Sequence, residues 1–176
     1  MARTAGGDEL AFEILVRRHQ TSILNLVYRY VGDRTKARDL TQEVFIRVWR
    51  AAGWYKPKVK FTTWFYSITV HLCLNELKSA RGKKVVPLEI EKEDSRSEKY
   101  ESSPDASQSP EEVLLAEERS RQVSEELQTL PDNQRIALIL KRYNNLSYGE
   151  IAEVMECSVS AVESLLVRAK KIFRKN

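Results

Sequence analysis

The sequence predicts an all-α protein with two small helical domains joined by a flexible acidic linker. Apolar residues recur at helical spacing over two long blocks of the 176-residue chain. The chain has only 6 glycines and 5 prolines, too few for a fold built on many tight turns. Residues 88–129 hold 13 acidic and 5 basic side chains, although the whole chain has a net charge of +4. Both ends of the chain are therefore basic, which suits a polyanionic partner.

The first block, residues 1–84, contains three predicted helices. An amphipathic pattern covers residues 12–30 and stops at Gly32. A second helix is expected over residues 33–53 with Asp33 as its N-cap, and a third over residues 62–80. Three helices of this length suffice for a small bundle.

A linker over residues 85–108 separates this block from the second, residues 109–176. The linker is rich in Ser, Glu, Asp and Lys, a mixture that cannot bury enough apolar surface to offset chain entropy. Ser109 and Glu112 fit a capping box, with Pro110 at the first position of a helix that should end near Gln128. A further helix is expected after it, with three residues facing inward: Ile136, Leu140 and Tyr143.

The chain ends in a helix-turn-helix pattern. Ser147 and Glu150 fit a capping box, and a short turn at Cys157 and Ser158 separates two short helices. A three-helix bundle with a solvated charged face is the alternative, but the small Ala152 and the basic tail favour DNA binding. In such motifs the second helix reads base edges in the major groove. The predicted reading face comprises Ser160, Glu163, Ser164, Val167, Arg168 and Lys171, and the basic tail comprises Arg168, Lys170, Lys171, Arg174 and Lys175.

The second helix of the first block carries a candidate docking surface. Four of its residues align at spacings of three and four, opposite the apolar stripe: Asp39, Gln42, Glu43 and Ile46. An acidic and apolar surface that faces away from the core predicts a protein partner rather than DNA.

Aromatic residues and lysines mix in the loop that follows, at Trp54, Tyr55 and Lys56. The next helix continues with four candidates on one face: Trp64, His71, Asn75 and Lys78. Aromatic rings among cations suit unstacked single-stranded bases. For Trp64 a place in the core is favoured, whereas for Tyr55 and Asn75 base contact is favoured.

Catalysis, metal binding and membrane insertion are not expected. His19 is one of two histidines and lies on an apolar stripe, where a packed core residue is expected. Cys73 and Cys157 have no second Cys or His at zinc spacing. The sequence shows no glycine-rich phosphate loop, so neither an enzyme nor a cofactor is expected. Because no apolar run approaches the roughly 18 residues of a membrane span, a soluble, cytoplasmic protein is expected.

Three motifs in order carry a family resemblance. They are Asp-Leu-Thr-Gln-Glu-Val-Phe at residues 39–45, Phe-Thr-Thr-Trp-Phe-Tyr-Ser-Ile at 61–68 and Leu-Ser-Tyr-Gly-Glu-Ile-Ala at 146–152. On these motifs the chain resembles an extracytoplasmic-function (ECF) sigma factor of the sigma-70 family, over nearly everything outside the linker. The resemblance implies a transcription initiation factor, with sigma region two in the first block and sigma region four in the second.

The resemblance also implies partners. The acidic and apolar surface would hold the clamp helices of the largest subunit of RNA polymerase core, and the loop with Tyr55 and the positions of His71 and Asn75 would capture a flipped promoter base. Region four would read the distal promoter element and pack on the polymerase flap, and the linker would thread toward the active-site cleft. A cognate anti-sigma factor, responding to a stress signal, would cover these surfaces.

The chain departs from the family pattern at three positions. His71 is commonly Asn in the family, Glu163 is often basic and Leu165 is often Arg. A stand-alone helix-turn-helix repressor or activator is the alternative function, but it leaves the first block unexplained.

Overall fold

The computed structural model describes residues 2–56, 59–82 and 110–173, and within these ranges the chain is helical apart from turns. The linker over 85–108 and Ser109 lie outside the described residues. The helices are α1 (Ala2–Ala5), α2 (Glu9–Val31), α3 (Arg34–Ala51), a 3-10 turn (Ala52–Trp54), α4 (Phe61–Gly82), α5 (Pro110–Gln128), α6 (Asp132–Arg142), α7 (Tyr148–Met155) and α8 (Val159–Phe173).

Short polar side chains set the ends of α2 and α3. The Asp8 carboxylate accepts from the Ala11 backbone N–H at 2.9 Å, so α2 starts three residues before the predicted start. The helix ends at Gly32, whose φ of 79° is left-handed. Asp33 then accepts from the Lys36 N–H at 2.8 Å, which confirms the predicted N-cap of α3.

The first half of the core is formed by α2, α3 and α4. The predicted stripes of α2 and α3 are buried at Leu15, Ile23, Leu26, Val27, Tyr30, Ala37, Leu40, Val44, Phe45 and Val48. Phe65 of α4 packs 5.5 Å from Phe45, centroid to centroid. His19 lies edge-on to Phe61 and Phe65 at 5.5 Å, and its burial, more than the nearby Arg18 charge, lowers its pKa. His19 therefore packs on the aromatic core as expected, although it is only partly buried.

The second half of the core is formed by α5 to α8, which bury Leu127, Leu130, Ile136, Ile139, Leu140, Ile151, Val154, Val162, Leu166 and Ala169. The prediction that Tyr143 faces inward is wrong. Helix α6 ends at Arg142, and Tyr143 is its C-cap, 38% exposed. Its ring instead lies beneath the Arg29 guanidinium of α2, whose carbon is 4.2 Å from the ring centre.

The two halves pack against each other at the end of α2. The last carbonyls of a helix lack partners within it, and here α5 and α6 supply donors. Arg135, 4% exposed, donates from Nη1 to the Tyr30 carbonyl at 2.7 Å and to Gln128 Oε1 at 2.7 Å. Gln128 Nε2 donates to the carbonyls of Arg29 and Tyr30 at 3.3 and 3.2 Å. Helix α7 packs along α4, so the halves meet at two places.

Candidate functional site

The candidate docking surface on α3 faces solvent. Asp39 and Gln42 are exposed, Ile46 is 44% exposed, and Glu43 is partly exposed and pairs with Arg47 at 2.7 Å. The opposite side of α3 is buried against α2 and α4. The four residues therefore form one continuous acidic and apolar face that takes no part in packing the core.

Helices α7 and α8 form a helix-turn-helix. The Ser147 side chain accepts from the Glu150 N–H at 3.2 Å, and the Glu150 carboxylate accepts from the Ser147 N–H at 2.8 Å, so the predicted capping box is confirmed. Glu156 closes α7 with a left-handed φ of 52°. Ser158 opens α8 by accepting from the Ala161 N–H at 3.2 Å. The turn between the helices is thus three residues long.

The predicted reading face of α8 is turned toward solvent. All six of its residues are accessible: Ser160, Glu163, Ser164, Val167, Arg168 and Lys171. Val167 is 54% exposed although it is apolar. The buried side of the same helix holds Val162, Leu166 and Ala169. Of the basic tail, Arg174 and Lys175 lie outside the described residues.

The side chains of the aromatic loop differ in exposure. Trp54 is 84% exposed, and Lys56 is exposed beside it. The Tyr55 ring lies 5.1 Å from that of Trp64, and its hydroxyl donates to the Val59 carbonyl at 2.8 Å. Trp64 is half-buried at the edge of the core. Trp54 therefore offers an unobstructed ring, while Tyr55 and Trp64 support each other.

The candidate face of α4 lies beside α7. Asn75 and Lys78 are exposed, but half-buried His71 has Nε2 3.5 Å from Oε1 of Glu156, at the end of α7. Nearby, Asn144 Nδ2 donates to the Tyr66 hydroxyl at 3.1 Å. The structure therefore places His71 against the helix-turn-helix and leaves Asn75 and Lys78 open to solvent.

An ion pair links the two halves between the start of α4 and the start of α7. Lys60, just before α4, lies 2.8 Å from the Glu150 carboxylate on α7. This hydrogen bond, followed by those from Ser147, lowers the pKa of Glu150 to about 2. The same contact raises the pKa of Lys60. The capping box and the contact between the halves thus share one carboxylate.

Two family models match the chain. Sigma-70 region 2 matches residues 15–83, and sigma-70 region 4 matches residues 120–172. The chain is 36% identical over 173 residues to the RNA polymerase sigma-H factor of Pseudomonas aeruginosa, covering 98% of this chain and 89% of that protein. It is 35% identical over 173 residues to the ECF RNA polymerase sigma-E factor of Escherichia coli K12, covering 96% and 87%.

The chain belongs to the sigma-70 family, in its extracytoplasmic-function group. Solved structures agree with the fold of this sigma factor. CnrH, solved in complex with the cytosolic domain of CnrY, superposes with a TM-score of 0.72 at 21% identity, covering 99% of this chain and 92% of that one. The sigma factor RpoE of Bartonella quintana, solved with the anti-sigma factor NepR, superposes with a TM-score of 0.67 at 16% identity, covering 94% and 95%.

Sequence reasoning missed two features of this sigma factor. Val159, the first residue of α8, is 45% exposed and lies four residues before Glu163, on the same side as the predicted reading face. Its spacing from Glu163 and Val167 was the available signal. Arg135 gave no signal, because nothing in its neighbourhood in the sequence distinguishes it from a surface arginine.

Metal-binding clusters and membrane-spanning helices are both absent from the residues that the structure describes. Within them, no three His, Cys, Asp or Glu side chains group closely enough to hold a metal ion. Burial raises the pKa of the Cys73 thiol to about 12. None of the helices, over the same residues, combines the length and apolar character needed to cross a membrane.

Proposed function

We propose that this sigma factor docks on RNA polymerase core through α3, directs it to specific promoters through α8 and assists promoter melting through α4 and the aromatic loop. The observation that carries the proposal is the pairing, on one chain, of an exposed acidic and apolar face on α3 with an exposed polar and basic face on a helix-turn-helix. It is not an enzyme in this proposal, and it acts in the cytoplasm, where core polymerase is found.

The docking face on α3 is tested by charge reversal. Asp39→Lys with Glu43→Lys removes both carboxylates, and binding to fluorescently labelled core should weaken by at least tenfold. Glu9→Lys with Glu13→Lys is the matched control, because these two exposed carboxylates have the same spacing on α2. Equal affinities of the two double variants for core would contradict the assignment of α3.

Promoter contact by α8 is tested by salt dependence. Arg168 is exposed on the reading face, so Arg168→Ala should reduce the slope of log affinity against log salt by about one ion equivalent. The measurement uses holoenzyme on a promoter fragment. Arg17→Ala, which removes an exposed arginine of α2, should leave the slope unchanged.

Contact between the proximal element and α4 requires the two halves to separate. His71, Asn75 and Lys78 share one side of α4, and His71 faces Glu156 in the structure. We therefore expect the aromatic loop and α4 to meet DNA only after α7 leaves α4. Two structural neighbours were solved with partners described as the cytosolic domain of CnrY and the anti-sigma factor NepR, which supports an anti-sigma partner for this chain.

A stand-alone repressor or activator is the second candidate, since the helix-turn-helix alone would serve it. A gel shift separates the two functions. A repressor binds its operator without other proteins, whereas a sigma factor should bind promoter DNA tightly only after core polymerase is added. Strong sequence-specific binding by the chain alone would favour the repressor.

A further inference from the structure

Two adjoining rows of side chains run along the exposed side of α8. One row is Val159, Glu163 and Val167, and the other is Ser160, Ser164 and Arg168. Residues four apart lie above one another on a helix, so each row is continuous. In the first row a carboxylate is placed between two exposed apolar side chains.

The two valines of this row are not needed by the protein core. Helix α8 packs on α6 and α7 through Val162, Leu166 and Ala169, all of which are buried. Val159 and Val167 are 45% and 54% exposed on the other side. Their methyl groups are therefore available for apolar contact with a ligand.

Within one helical turn of Glu163, α8 carries no basic side chain. Its helical neighbours three and four residues away are uncharged: Val159, Ser160, Leu166 and Val167. Among the described residues, none of the ion pairs involves Glu163. A carboxylate turned toward DNA is repelled by the phosphates, and a hydrogen bond that it accepts from a base offsets this repulsion.

The base edges in the major groove limit which base can donate a hydrogen bond to the Glu163 carboxylate. Cytosine presents its N4 amino group, whereas adenine sets its N6 amino group beside the N7 acceptor, and guanine presents acceptors. A carboxylate is acceptor-only, so cytosine fits it best. The valine methyl groups fit the C5-methyl of thymine.

The spacing of the row sets the spacing of the bases. Four helical residues rise about 6 Å, whereas successive bases on a strand are separated by about 3.4 Å along the DNA axis. A valine on either side of Glu163 therefore reaches about two base steps away.

We propose that Glu163 is a specificity-determining residue that accepts from cytosine N4 in the distal promoter element, with Val159 and Val167 contacting thymine methyl groups within about two base steps of that cytosine. This inference rests on the proposed function, because it requires α8 to lie in the major groove of a promoter.

The test uses holoenzyme assembled from core polymerase and the full chain. DNA randomised across the distal element is selected for binding, and single-base variants of the selected site are then compared. The wild-type protein should select a cytosine, and its replacement should weaken binding about tenfold. Glu163→Gln should move the preference to adenine, since glutamine donates to N7 and accepts from N6. Glu153→Gln, an exposed carboxylate on α7, is the control and should keep cytosine.

The valine contacts are tested by replacing thymine with uracil, which removes only the methyl group. Uracil should weaken binding by wild-type holoenzyme about threefold. In Val159→Ala, Val167→Ala or the double variant, uracil should have no effect at a thymine whose valine contact has been removed. Val59→Ala, an exposed valine of the loop before α4, should retain the uracil effect. All these side chains are exposed, so melting curves should confirm that the variants remain folded.

The possible outcomes distinguish failure of this inference from failure of the proposed function on which it rests. If holoenzyme transcribes selected promoters but Glu163→Gln retains the wild-type base preference, the inference is overturned and the proposed function stands. If the chain forms no holoenzyme with core, both are overturned. Selection of a cytosine, with a switch to adenine in Glu163→Gln, supports both.

Discussion

The Arg135 guanidinium lies 2.7 Å from the carbonyl oxygen of Tyr30, a residue 105 positions earlier in the chain. The same guanidinium donates from Nη2 to the carbonyls of Gln128 and Leu130 at 3.1 and 3.0 Å. It therefore joins the end of α2 to the turn between α5 and α6. A charge this deeply buried is tolerated because carbonyl and amide oxygens surround it.

Replacing Arg135 with alanine should destabilise the protein by about 3 kcal/mol, because hydrogen bonds from a charged donor are lost and buried carbonyls are left without it. Urea denaturation followed by circular dichroism measures the change. Arg142→Ala provides the control, since Arg142 is exposed in the last turn of the same helix and should cost about 0.5 kcal/mol. Equal losses in the two variants would show that Arg135 does not hold the halves together.

Gly32→Ala should cost at least about 1 kcal/mol. The residue has a φ of 79°, and an added Cβ would lie 3.0 Å from Cδ of Gln128. Gly53→Ala is the matched control, because a Cβ there meets nothing within 4 Å, and its stability should be unchanged or slightly higher. A thermal melt of both variants measures the difference, and similar melting temperatures would contradict the close packing of Gln128 on Gly32.

Acid should weaken the contact between Lys60 and Glu150. The folded pKa of Glu150 is about 2, below its ordinary value of 4.5, so the unfolded chain takes up the proton first. The stability supplied by this carboxylate is complete above pH 4.5 and is lost as the pH falls toward about 2. Lys60→Gln should show a smaller loss over this range, whereas Lys78→Gln, an exposed lysine of α4, should behave as wild type. The comparison is made by urea denaturation at successive pH values.

His19 should make stability depend on pH in a higher range. Burial lowers its pKa below the ordinary 6.5, so protonation favours the unfolded chain. Stability should be greatest above pH 6.5 and should decrease as the pH falls through 6.5 toward the lowered folded value. The decrease should be absent in His19→Gln, with His71→Asn introduced into both proteins so that His19 is the only histidine in the comparison. An identical pH dependence in the two proteins would show that folding does not lower the pKa of His19.

The helices and their exposed faces could be predicted from local pattern, because helical period and capping residues are properties of neighbouring positions. Asp33, Gly32 and the capping box of Ser147 and Glu150 lie where the pattern placed them. The start of α2 was missed because its cap, Asp8, precedes the apolar stripe. Tyr143 was misplaced because the stripe was extended beyond the last residue of α6.

The contacts between the halves could not be predicted, because they join residues far apart in the chain. His71 was assigned from its own helix alone, and the carboxylate of Glu156 that faces it comes from α7. The burial of Arg135 depends on acceptors that the fold brings to it, among them the Tyr30 carbonyl at the end of α2, and no pattern of neighbouring positions indicates them. The functions of the α3 and α8 faces stay predictions.

The final turn of α2 takes hydrogen-bond donors from Gln128, located 98 and 99 positions further along the chain. A fragment ending after α4 would expose those carbonyls to water and leave the adjoining apolar surface bare. Binding constants measured on such a truncated protein would therefore describe a frayed α2, and the intact polypeptide is the appropriate material for quantitative work.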